Sequence, residues 1–549
     1  MLAVSKPSSR SLRKRLGQLG RLLLALYLLR KLPTILRRYW PTRPLKLSGP
    51  PFLQWSAVQL ARAIQSRELT SSQVVEAYIQ RLREVDVHLH CLVAERFDAA
   101  REEALAADQR IAQKHDERGA LPEFLGVPIL LKEAFEYPGF PYTNGLMCRK
   151  GRRGARPGPA VRRIEAAGFV VLGTGNVSEA CMWMESYNLV YGRSRNPHGL
   201  HLSPGGSSGG TAALVAALGA PVALTADIGG STRIPALLNG LFGHKPTGGI
   251  CPNLGTHLDE FHGAVCRICQ MGMVCRHAED LLPLLKIMAG PPDPKEDPLA
   301  YEYRPCPVWH GKDVDLGSLT VGCLSFRGGW PTSAMEVLIS SIGKGQSLAV
   351  ERAVEWLRAQ GATIHPLYLE DLEVGQWFES WSTRVQGAGT ARFREVLCQS
   401  KRTFGLAEIL RYLMGLSPHT LPALGLAFLE DAVEMISPSM EKRLLQAQEV
   451  EQLLRQSFQR CQVLIMPTLP RHGLRHDEPL LRVFDSCFTS IWNAMEFPST
   501  AVPLGLHAGA PVGVQIVSLP NNDELTISIA QKLHAACVAR CETPGANER

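Results

Sequence analysis

Five short, β-rich apolar runs recur along the chain, each bounded by turn residues: 125–132 (LGVPILLK), 168–176 (GFVVLGTGN), 318–326 (SLTVGCLSF), 461–468 (CQVLIMPT) and 511–519 (PVGVQIVSL). They alternate with helical stretches, and runs this apolar need cover on two sides. The pattern predicts an α/β sheet covered by helices on both faces. No internal repeat is present, which excludes solenoids and propellers. A long proline-rich loop near 290–313 reads either as a domain boundary or as an excursion within one large sheet domain.

The run 56–86 (SAVQLARAIQSRELTSSQVVEAYIQRLREVD) predicts two amphipathic helices, the second capped near Thr70 or Ser71. They open a body expected to span 52–540, ahead of a short tail at 541–549. A proline-rich linker at 41–51 separates this body from a basic, apolar segment at 1–40. Residues 1–50 hold twelve Lys or Arg and no acid, so the rest of the chain carries a net charge of −4. A mildly acidic body argues against a nucleic-acid surface.

The apolar run in the basic segment, Leu22 to Leu29, is eight residues long. A bilayer-spanning helix needs roughly 20. A helix lying in the membrane interface fits better, with Arg13, Lys14, Arg15, Arg30, Lys31, Arg37 and Arg38 meeting anionic headgroups. A signal peptide lacks its small-residue cleavage site here, and an arginine-rich mitochondrial presequence is a further alternative. Of the fourteen cysteines, Cys266 and Cys269 form the lone CxxC, with Cys275 and His277 nearby. Zinc is the weaker reading. His277 is expected on a helix (275–290), and reduced, buried thiols suit a domain facing the cytosol.

Two serines stand among glycines twenty-four residues apart, Ser207 in SPGGSSGG (203–210) and Ser231 in DIGGSTRIP (227–235). An alanine-rich helix begins at the first glycine cluster, so Ser207 and Ser208 fall at a helix N-terminus, which favours developing negative charge. The paired glycines of the second let the N–H groups of Ile228, Gly229, Gly230 and Ser231 converge as an oxyanion hole, with Ser231 poised to attack the carbonyl held there. A base is needed, and Lys132 closes the buried run LGVPILLK. Burial disfavours an ammonium, and a neutral amine is a competent base. Asp227 and Arg233 bracket the loop as a supporting ion pair. A lone GGSSGG is usually a linker, and a lysine after a strand is usually a solvated strand end. The combination is what carries weight.

Together these stretches resemble the amidase signature family, whose pattern runs GGSSGG, DxGGSxRxPA and GxxGxKPT. The chain reads GGSSGG at 205–210, DIGGSTRIPA at 227–236 and GLFGHKPT at 240–247. The likeness runs from about Ser56 to near the end, with a signature core at about 120–290, and includes Lys132-Glu133 and CQVLIMPTLP at 461–470. Residues 178–197 and 275–290 are most similar to the membrane-anchored fatty-acid amide hydrolases of that family.

The resemblance implies a single large, mixed, twisted sheet and a Ser-Ser-Lys triad. Ser231 would be the nucleophile, Ser207 the bridging serine after a cis peptide bond, and Lys132 the base, with Ser208 in support and Met182 contacting substrate. It implies no cofactor and no metal. The expected partners are a lipid amide, a membrane surface and possible homodimer formation, at the endoplasmic reticulum or a lipid droplet. The apolar stretch 404–431 reads as an ordinary buried helical hairpin or as a membrane-binding cap.

The chain departs from the family at Ala226, where Thr or Ser is usual, at Thr225 for glycine, at Thr232 for Ile, and at 269–276 (CQMGMVCR), which lacks the usual Gly-Pro before Met273. Three other readings compete: a G-x-S-x-G esterase at Gly205 to Gly209, an amidotransferase subunit, and a tethered binding protein without turnover. The first lacks the buried strand that should precede its elbow.

Overall fold

A computed structural model describes residues 43–113, 120–256, 265–295, 297, 300–311, 313–325, 337–398, 406–436 and 439–541. The expected membrane-associating helix at 1–40 lies outside these residues, and no described helix is long and apolar enough to cross a membrane.

The described residues build an eleven-stranded sheet from β1 (Leu92–Glu95), β2 (Pro128–Lys132), β3 (Val170–Gly175), β4 (Val222–Asp227), β5 (Phe242–Lys245), β6 (Gln270–Cys275), β7 (Thr320–Ser325), β8 (Thr363–Tyr368), β9 (Val463–Pro467), β10 (Ser499–His507) and β11 (Ala510–Ser518). Their spatial order is β1-β3-β2-β4-β6-β5-β10-β11-β9-β7-β8. Each of the five apolar runs became a strand. The others were less legible. The helix expected over 275–290 overlaps β6, but Cys275 ends a strand held between β4 and β5, and the helix that follows is Leu281–Met288. His277 precedes that helix instead of lying on it. β8 carries Pro366 and half-exposed side chains, tolerable because it is an edge strand.

The pairing is mixed. β3, β2 and β4 run parallel, with Lys132 beside Gly175 and Leu131 beside Leu224, while β4, β6, β5, β10, β11 and β9 run antiparallel in turn. The three parallel strands therefore end on one edge of the sheet. The segments leaving them there carry the family motifs, as expected for ligands at the carboxyl ends of strands.

Helices α1 (Ala57–Gln65) and α2 (Ser71–Leu89) each begin with a capping box, Ser56 with Gln59 and Thr70 with Gln73. Leu60, Ile64, Val74, Tyr78 and Leu82 are buried in the main core with Ile129, Leu131 and Val222. The segment at 290–313 folds back onto the body. Arg163 donates to the carbonyls of Met288, Ala289 and Gly290, and Tyr303 to Asn253. Strands before and after this segment share the sheet.

Candidate active site

Lys132 ends β2, a strand buried along its whole length. Its Nζ is fully enclosed and donates to Ser207 Oγ at 2.7 Å and to the carbonyl of Ala226 at 3.2 Å. Ser207 follows a cis Gly206–Ser207 bond and precedes helix α3 (Gly209–Ala216), for which Ser208 is the N-cap residue. Glycine is required at 206, because a Cβ there would lie 2.3 Å from the carbonyl oxygen of Trp183. Ser186 ties this loop down, donating to the carbonyls of Gly205 and Ser207 and accepting from Gly209 N–H at 2.8 Å. Ser186 lies in the 178–197 stretch that carries the family likeness, but its type and spacing there do not reveal this role.

Ser231 reaches the same place from β4, followed by helix α4 (Arg233–Asn239). It is 8% exposed, and its carbonyl accepts from Ser208 N–H at 3.3 Å, joining the two glycine clusters directly. The Ser208 hydroxyl is buried and has no hydrogen-bond partner among the described residues. The Asp227 carboxylate organises the turn, accepting from Gly230 N–H at 2.7 Å and Thr232 N–H at 3.1 Å. Arg233 grips it with Nε and Nη2, both at 3.0 Å, and both side chains are fully buried. Burial alone would raise this carboxyl; the guanidinium outweighs it and holds Asp227 well below the usual carboxylate range.

Four N–H groups were expected to converge here. That of Gly230 is already donated to Asp227. Those of Ile228, Gly229 and Ser231 have no acceptor among the described residues. The carbonyls of the turn are held from behind. Asn493 Nδ2 donates to Asp227 O at 2.8 Å, Trp381 Nε1 to Ile228 O at 2.7 Å and Thr489 Oγ1 to Gly229 O at 2.7 Å. These partners come from helices α5 (Trp377–Gly387) and α8 (Cys487–Ala494), more than 150 residues away in the chain, too remote for any local motif to reveal them.

Ser231, Gly206, Ile228 and Gly229 line one mostly apolar cavity, about 520 Å³ including its open mouth. Met182, Met184, Ile234, Phe378, Trp381 and Leu426 form much of its wall. Cys181 also borders it, but burial pushes that thiol up to about 11, which leaves it protonated at neutral pH. Glu133, beside Lys132, is raised to about 7 by burial, and its Oε1 accepts from Thr143 and Tyr191. Cys266, Cys269 and Cys275 are buried, and among the described residues no group of three or more His, Cys, Asp or Glu is arranged to hold a metal ion.

With this geometry in view, comparison with known proteins is decisive for the family. The Amidase family profile matches residues 73–527. The chain belongs to the amidase signature family. Among its amidase relatives, human fatty-acid amide hydrolase 2 is 34% identical over 494 residues, spanning 88% of this chain and 89% of that protein. Fatty-acid amide hydrolase 2-A of Danio rerio is 35% identical over 500 residues, again 88% and 89%. The fold of a bacterial aryl acylamidase superposes with a TM-score of 0.70 at 23% identity, covering 89% of this chain and 98% of that one. Amidase-signature hydrolase describes the class of this protein, and the fatty-acid amide hydrolase 2 proteins are relatives within it.

Proposed function

We propose that this amidase cleaves fatty-acid amides, primary amides and N-acylethanolamines among them, through an acyl-enzyme on Ser231. The observation that carries the reading is the enclosed 2.7 Å contact between Lys132 Nζ and Ser207 Oγ, one loop away from a serine that opens into an apolar cavity. With Lys132 as a neutral amine, Ser231 Oγ attacks the amide carbon as its proton passes to Ser207, whose own proton passes to Lys132. The oxyanion forms against the unpaired N–H groups of Ile228, Gly229 and Ser231. Collapse breaks the C–N bond, and the proton returns through Ser207 to the departing amine. Water then repeats the relay and releases the fatty acid. Protonating the leaving nitrogen as its bond breaks is what an amide demands more than an ester does.

The lipid part of the reading is supported by the cavity wall and by its relatives. Leu426 reaches the cavity from helix α7 (Leu421–Ile436), which follows α6 (Leu406–Met414) in the chain and packs against the short helix Phe393–Cys398. Ala423, Leu424 and Ala427 pack inward with Leu146 and Leu397, as an ordinary buried helix would. The connection does the opposite, exposing Met414 and Leu416, each at 63%, beside the exposed Arg411. We assign this tip to a membrane surface, with the basic segment at 1–40 as the tether. Phe404, expected on the same face, lies outside the described residues. At the other end of the connection Glu179 accepts from Thr420 N–H at 2.7 Å, and His419 Nδ1 lies 2.8 Å from it, joining this segment to the loop that bears Met182.

The test is labelling with a long-chain fluorophosphonate, followed by mapping of the adduct, on the wild type and on Ser231→Ala. The proposal expects one adduct, on Ser231, blocked by a long-chain primary amide. An unlabelled wild type, or an adduct that survives in Ser231→Ala, removes the assignment.

A further inference from the structure

We infer that Trp381 couples filling of the acyl cavity to the geometry of the oxyanion turn, so that it is a positioning residue that reads acyl-chain length into the catalytic rate. The inference rests on the reading of the cavity as an acyl site. A peptide unit is planar, so the C=O of one residue and the N–H of the next point in opposite directions. Fixing Ile228 O therefore aims Gly229 N–H, an oxyanion donor, whereas fixing Gly229 O aims Gly230 N–H, which Asp227 accepts, so the second clamp sets the shape of the turn and not a donor itself. Trp381 Nε1 holds the first carbonyl at 2.7 Å, and Thr489 Oγ1 holds the second at 2.7 Å.

The two clamps also differ in placement. Thr489 is fully buried and does not border the cavity, whereas Trp381 is half-buried and forms part of its wall. The indole also lies against the turn itself, since a Cβ built on Gly229 would be 3.2 Å from its Cζ2 atom. Its ring packs at 5.5 Å against Phe378, which also faces the cavity and meets Phe484 edge-on at 5.0 Å. Helix α5 is anchored one turn earlier by Trp377, fully buried and donating to the carbonyl of Leu372 at 2.8 Å. The backbone beneath Trp381 is thus held, and the freedom left is that of its side chain. A long chain packed on Phe378 and Trp381 restricts the indole to the orientation that holds Ile228 O. A short chain leaves it free to release that carbonyl, and Gly229 N–H loses its aim. Chain length then enters kcat, separately from the binding that lowers KM.

The experiment measures kcat and KM separately for primary amides from short to long acyl chains, with wild type, Thr489→Val and Trp381→Phe, and unfolding temperatures recorded beside them. In the wild type, kcat rises and KM falls as the chain lengthens. Thr489→Val lowers kcat by about tenfold, less than the loss of an oxyanion donor itself, and by the same factor at every length. Trp381→Phe keeps an apolar wall, so the fall in KM persists while the rise in kcat flattens. A rise in kcat that survives Trp381→Phe, or a loss equal at all lengths, overturns the coupling. A wild-type kcat that is flat while KM falls overturns it without any variant. A wild type flat in both overturns the acyl reading as well.

Discussion

The hydroxyls of Thr225 and Thr232 meet at 2.8 Å, both fully buried, across the base of the turn that carries Ser231. Both are positions at which the chain departs from the family pattern, and the structure shows them as a pair. The bond links β4 to the residue after the nucleophile. Thr225→Val should cost about 1–3 kcal/mol, because it leaves Thr232 buried and unsatisfied. Adding Thr232→Val should cost much less than the first substitution. A denaturant double-mutant cycle checks this, and simple additivity would show that the contact carries no coupling.

Another departure lies next to the proposed base. Ala226 is buried with its side chain in the main core, while its backbone carbonyl accepts from Lys132 Nζ at 3.2 Å, so a substitution there acts on the strand that holds Lys132. Ala226→Ser is expected to raise kcat by about threefold, roughly 0.6 kcal/mol of barrier. Steady-state kinetics decides it: an unchanged or lower kcat means that this chain has compensated for the missing group elsewhere.

Lys245, in the GLFGHKPT motif, gives a pH signature in stability. It is fully buried and donates to the carbonyl of Pro246, and burial, reinforced by Arg233, brings its ammonium down to about 7. The unfolded chain holds the same proton to about 10.5. Between those values the unfolded state binds more protons, so this residue makes stability rise with pH, by about 1 kcal/mol per unit. Measured by denaturant titration from pH 7 to pH 10, the difference between wild type and Lys245→Met should climb. A flat difference would show that the ammonium is retained in the folded protein.

The residues of the candidate site were easier to read in the sequence than some of the strands around them. Ser207 and Ser231 lie in motifs whose glycines announce close backbone approach, Lys132 closes a buried apolar run, and the parallel strands bring all three to one edge of the sheet. Strands such as β6 and β8 were obscured, one by a run that reads on into a helix and one by an edge position that relaxes the apolar requirement. The supports of the site were hidden for a different reason. Trp381, Thr489 and Asn493 act on backbone carbonyls from distant helices, and such contacts need no fixed local pattern. The free donors of the turn were likewise not countable in advance, since the claim of Asp227 on Gly230 N–H depends on how the turn closes.

In the proposed mechanism Lys132, through Ser207, returns a proton to the leaving group. The most direct measurement compares Lys132→Ala with wild type on an amide and an ester that share one acyl chain. Removing general acid–base help is worth about 10²–10⁴ in rate. The account predicts a loss of that order for the amide and a much smaller loss for the ester, whose leaving group needs less protonation. Equal losses on the two substrates would contradict it.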